Sequence, residues 1–78
     1  MTPGQTRVLR VLADGGAMST WRVGDVTGRG YGSVYGVLRG LEHRGLVRRT
    51  YAAHAVPTGP VFNWQVTDDG RKALDGQA

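Results

Sequence analysis

The chain has 78 residues, enough for one small domain spanning 1–78, and at that length only about 60% of the unfolded surface is buried, so stability is narrow. With no cysteine and only two histidines, His43 and His54, it has no disulfide framework and no set of metal ligands, and no cofactor is expected. Ten basic residues against six acids give a net charge of +4; no apolar run approaches the roughly 20 residues of a membrane span and the N-terminus lacks the pattern of a secretion signal, so a cytoplasmic protein that does not enter the membrane is expected.

Thr2-Pro3-Gly4-Gln5 predicts a helix start, with Thr2 as N-cap, Pro3 in the first turn and Gln5 completing a capping box. This first helix should run to about Asp14, bury Val8, Leu9 and Leu12, and stop at Gly15-Gly16. Ala17-Met18 suits a brief extended segment. Ser19 or Thr20 then caps a second, shorter helix whose apolar residues are Trp21, Val23 and Val26, and Thr27-Gly28-Arg29-Gly30 forms a turn. A third helix is predicted from Tyr31 to Arg44. Val34, Leu38 and Leu41 stack on one face at i, i+4 and i+7, and Gly45 stands where a helix end favours positive φ. Leu46 to Ala52 reads as a strand and Ala53 to Pro60 as a loop. Val61 to Thr67 reads as a second strand, with Phe62, Trp64 and Val66 alternating onto one face. Thr67 caps a last short helix ending near Asp75, with Asp68 and Asp69 at its positive end. The expected fold is α+β, mainly helical: a winged helix-turn-helix with a three-helix core, a two-stranded wing and a short C-terminal helix.

Charge is concentrated in the middle. Residues 20–66 hold Arg22, Arg29, Arg39, Arg44, Arg48 and Arg49 against Asp25 and Glu42. Nine of the ten basic residues are arginine, the better fork for phosphates and base edges, although a GC-rich genome accounts for part of that bias. With Val34 inward, the outer face of the third helix carries Gly32, Gly36, Arg39 and His43, flanked by Arg29, Ser33 and Tyr35. A reading helix uses its N-terminal half in the major groove, which brings Arg29, Ser33, Tyr35 and Arg39 nearest to bases or phosphates. Gly32, Gly36 and Gly40 form a smooth stripe, each costing the helix about 1 kcal/mol against alanine, and so point to a close approach by DNA or another helix. In the wing, Arg48, Arg49 and His54 are the candidate backbone contacts. Arg48 and Arg49 point to opposite faces of their strand, so at most one is ideally aimed. Trp21, Phe62 and Trp64 are expected in the core. The serines, histidines and acids form no catalytic constellation, and an enzyme is not expected.

Two motifs carry a family resemblance. Leu41, Glu42, Gly45, Leu46, Val47 and Arg49 match a Leu-Glu-x-x-Gly-Leu-Val-x-Arg pattern after a leucine-rich helix, and Val66, Thr67, Gly70 and Arg71 match the Leu-Thr-x-x-Gly-Arg pattern that follows a wing. On these the chain resembles the winged-helix core of the MarR and PadR groups of bacterial transcription regulators, with Tyr35 and Trp64 leaning toward PadR. The resemblance implies sequence-specific binding of duplex DNA by a small bacterial or phage transcriptional regulator. The alternatives are a winged-helix protein-interaction module and a recombination or architectural accessory factor. Those families carry further helices that build a dimer. Only Asp68 to about Asp75 follows the wing here, so the chain is expected to be monomeric in solution, with pairing on DNA where its site is repeated.

Overall fold

Thr2 opens the fold as its sequence context requires. Its Oγ1 accepts the Gln5 N–H at 3.1 Å while Gln5 Oε1 accepts the Thr2 N–H at 3.1 Å, satisfying two donors that a helix start otherwise leaves bare. The computed structural model describes residues 1–51 and 62–76. Along them run α1 (Pro3–Gly15), α2 (Thr20–Thr27), α3 (Tyr31–His43), β1 (Val47–Tyr51), β2 (Phe62–Val66) and α4 (Asp68–Asp75). This is the expected winged-helix order. The expected loop at 53–60, with His54, and the strand ends at Ala52 and Val61 lie outside the described residues.

Ser19, not Thr20, caps α2: its Oγ accepts the Arg22 N–H at 3.1 Å. Thr20 is the first helical residue and is buried, and its hydroxyl accepts the indole N–H of Trp64 at 2.8 Å. That one-residue difference sets the rotation of the helix and corrects the expected core. Thr20, Val23, Gly24 and Thr27 face inward at i, i+3, i+4 and i+7. Trp21, expected inside, is exposed, and so is Val26. Gly24 lets the turn come close, since a Cβ there would lie a tight 3.0 Å from the Arg29 carbonyl oxygen.

Val8, Leu9 and Leu12 of α1, Val23 of α2, Val34, Leu38 and Leu41 of α3, and Trp64 of β2 are fully buried in one core. Each such side chain contributes about 1.5–3 kcal/mol by leaving water. After α3 the chain reverses at Gly45, whose φ of 75° is open to glycine and strained for other residues. β1 and β2 pair antiparallel with Val47 opposite Val66, Arg49 opposite Trp64 and Tyr51 opposite Phe62. One face of the hairpin therefore meets the helices with Val47, Trp64 and Val66, and Phe62 is half-buried beyond them. Met18 adds a bridge on the other edge of β2. Its N–H donates to the Trp64 carbonyl at 3.1 Å, and its carbonyl accepts the Trp64 N–H at 2.8 Å. The short extended segment predicted at Ala17-Met18 is this bridge. Thr67 caps α4 by accepting the Gly70 N–H at 3.0 Å, and Leu74 closes the core. Among the described residues no helix is long and apolar enough to cross a membrane.

Candidate nucleic-acid interface

The inward stack of Val34, Leu38 and Leu41 fixes how α3 is turned. Gly32, Ser33, Gly36, Arg39 and His43 face solvent, as helical spacing predicts. Gly32 and Gly36 are open: a side chain begun at either would meet no atom within 4 Å. Gly40 breaks the expected stripe, because the Gln5 side chain of α1 lies 3.6 Å from where its Cβ would be. The smooth exposed strip is therefore confined to the first two turns of α3.

Beside that strip lies a network built around one acid. Glu42 accepts two hydrogen bonds from Arg49, Nε to Oε2 at 2.9 Å and a terminal guanidinium nitrogen to Oε1 at 3.2 Å, with Arg39 Nε a further 3.6 Å from Oε1. The Arg49 guanidinium carbon also stands 4.8 Å from the Trp64 ring centre and 5.0 Å from that of Phe62, so the cation is held over aromatic faces. Arg39 reaches the Tyr35 hydroxyl at 3.4 Å and Arg49 the same oxygen at 3.5 Å. The hydrogen bond from Arg39, seconded by Arg49 and opposed by partial desolvation, draws the Tyr35 phenol below its ordinary pKa. The bond to Glu42 raises that of Arg49.

Period-two alternation predicted opposite faces for Arg48 and Arg49, and the structure has them so. Arg49 lies on the helix side with its charge matched by Glu42. Arg48 lies on the outer side, exposed, and donates twice to Gln65 Oε1, at 3.1 and 3.3 Å. It borders a hollow of about 700 Å³ with Gly45, Thr67, Asp68 and Lys72. Arg29, expected to flank α3, lays its guanidinium over the first turn of α1, so that a methyl on Gly4 would sit 2.9 Å from one of its nitrogens. His43 is exposed at the far end of α3. The structure thus brings Ser33 and Tyr35 onto the first half of α3 and its flank, with Arg39 one turn beyond Tyr35, ties Arg49 to that flank, and sets Arg48 apart.

Two contributors escaped the sequence reading. Glu42 stands in the sequence as one residue of a motif, and nothing there marks it as the partner of two arginines. Trp21, expected in the core, stands in the open 5.3 Å from Tyr31, which in turn lies parallel to Tyr35 with ring centres 6.2 Å apart. The signal for Trp21 was the i, i+3, i+4, i+7 run of Thr20, Val23, Gly24 and Thr27, hidden because three of the four are small or polar.

No family model matches the sequence, and no curated protein does. Solved structures match closely in shape. A MarR family protein from Bacillus stearothermophilus superposes with a TM-score of 0.86 at 18% identity, over 97% of this chain and 50% of its own. BpsR of Bordetella bronchiseptica, whose DNA binding is regulated by 6-hydroxynicotinic acid, has a TM-score of 0.86 at 27% identity, over 100% of this chain and 53% of its own. A Staphylococcus aureus MepR mutant bound to an oligodeoxyribonucleotide gives 0.86 at 22% identity, over 96% and 54%. The chain spans about half the length of each. It is the MarR side of the expected resemblance that these structures carry.

Proposed function

We propose that this MarR-like winged-helix domain binds duplex DNA sequence-specifically and serves a transcriptional regulator, with the first two turns of α3 entering the major groove. The observation that carries this reading is the outer face of α3, where Gly32, Ser33, Gly36 and Arg39 are exposed and the two glycines meet no protein atom. A helix entering a groove about 12 Å wide is limited by its own side chains, and a glycine surface lets its backbone approach base edges and phosphates. The likeness to BpsR and to DNA-bound MepR supports DNA as the partner.

The arginines divide their work. Arg39 projects from the centre of the exposed face, held loosely by Tyr35 and Glu42, and is the candidate for a bidentate contact to guanine. Arg48 adds a phosphate contact from the wing. Arg49, braced by Glu42 and stacked on Trp64, fixes the wing to α3 and so sets the angle at which both meet the duplex. His43 and Arg29 sit at the margins of the face as phosphate partners. The neutralisation of backbone charge supplies affinity, and α3 supplies discrimination.

The test is selection of bound duplexes from a random pool, followed by Arg39→Ala on the selected and on random DNA. The variant should lose about 1–3 kcal/mol on the selected site and far less on random sequence. Equal losses on both would demote Arg39 to a phosphate contact. A pool that yields no enriched sequence would contradict sequence-specific binding.

A further inference from the structure

Trp21 is 75% exposed and Tyr31 45%. Both rings stand outside the buried faces of their helices, Thr20, Val23, Gly24 and Thr27 of α2 and Val34, Leu38 and Leu41 of α3. The two rings lie 5.3 Å apart and border a hollow of about 250 Å³ whose other walls include Asp25, Gly28, Arg29 and Gly30. On its far side Tyr31 stacks on Tyr35 with their planes 4° apart, and Tyr35 carries Arg39. An aromatic row therefore runs unbroken from the start of α2 to the outer flank of α3.

We infer that the Trp21–Tyr31 pair is a second contact with duplex DNA, an aromatic edge that lies along the sugar–phosphate backbone bordering the groove that α3 enters. This rests on the DNA reading above. Charge selects the occupant. Arg29 lines the hollow, with its guanidinium turned toward the first turn of α1, Arg22 follows Trp21 in sequence, and Arg39, beside Glu42, ends the row; Asp25, also at the hollow, is the single acid of residues 20–41. An exposed aromatic pair in basic surroundings suits a polyanion that also has apolar faces, and deoxyribose presents such C–H faces between successive phosphates. Gly28 and Gly30, with no protein atom within 4 Å of their Cβ positions, leave room for a backbone strand to come close. The contact adds affinity without reading sequence, because every nucleotide offers the same sugar.

The two tryptophans make the test direct. Trp64 is fully buried and Trp21 is not, so acrylamide quenching of fluorescence reports Trp21. A short random-sequence duplex at low salt should shield Trp21 from acrylamide. Trp21→Ala should weaken binding of that duplex and of any selected site alike, by about tenfold, and Trp21→Phe should recover most of the loss. The slope of affinity against salt should be the same in the variant, since no charge is removed. Thermal melting should be nearly unchanged, because the ring is outside the core. If the duplex binds but Trp21 stays fully quenchable and Trp21→Ala binds as well as the wild type, the inference is overturned and the DNA reading stands. If the duplex does not bind at all, both fall. If Trp21→Ala instead lowers the sedimentation coefficient and leaves DNA affinity alone, a second copy of the chain covers the patch and the inference is overturned.

Discussion

Gly36 costs α3 about 1 kcal/mol relative to alanine in a helix interior, and a methyl group there would meet nothing in the protein. Gly36→Ala should therefore raise the thermal midpoint by about 4–8 °C, yet weaken DNA binding by holding the helix off the groove. A stabilised variant with full affinity would separate this glycine from DNA. Arg49 is its converse. Its charge is matched by Glu42 and its plane rests over Trp64 and Phe62. Arg49→Ala should cost about 1–2 kcal/mol of stability, since a charge-assisted bidentate pair is lost, and should change the salt slope of DNA binding little, because its guanidinium is engaged by Glu42 and not by a phosphate. A slope smaller by about 1 with an unchanged melting point would instead make Arg49 a phosphate contact. The sequence showed that Arg48 and Arg49 point opposite ways. Which of them meets Glu42 depends on how β1 passes α3, and alternation along a strand says nothing of that.

Among the elements, α1, α3 and α4 were legible almost to the residue, because each begins on a recognisable cap or glycine turn, and α1 and α3 carry an apolar stripe of strong residues. The capping box at Thr2, the left-handed Gly45 and the Thr67 cap are local chemistry, so no distant contact revises them. α2 was legible as an element but not in its rotation. With buried positions filled by two threonines and a glycine, its strongest apolar residue, Trp21, drew the reading to the wrong face. Tertiary contact decides the matter: Thr20 turns inward to accept the Trp64 indole N–H, which links α2 to the hairpin. Trp64 is thus the joint of three elements. It lies opposite Arg49 across the hairpin, pairs with Met18 on the other edge and is fully buried. Trp64→Ala should cost about 3–5 kcal/mol, a large share of the roughly 4–12 kcal/mol total stability of a domain this size, and lower the thermal midpoint severely. Circular dichroism on heating checks this. An unchanged midpoint would mean that the ring is not the joint.

At the scale of the whole molecule, the net charge of +4 matters by where it lies. Pairing Arg49 with Glu42 leaves Arg22, Arg29, Arg39, Arg44 and Arg48 against Asp25 in the stretch that builds α2, α3 and β1. A surface of that balance, beside a helix with an open glycine face, is suited to a polyanion with a groove. The charge was readable from sequence. The segregation of Arg48 to the outer face of the hairpin, and the aromatic row that extends the basic surface toward α2, came only with the packing. The central claim is that this surface holds duplex DNA through its phosphates, and the salt dependence of binding tests it most directly. Neutralising about 4 phosphates gives a slope of log affinity against log salt of about −3 to −4. Affinity for duplex DNA should fall along that line as salt rises from low to moderate concentration. An affinity that does not change over the range would contradict the claim.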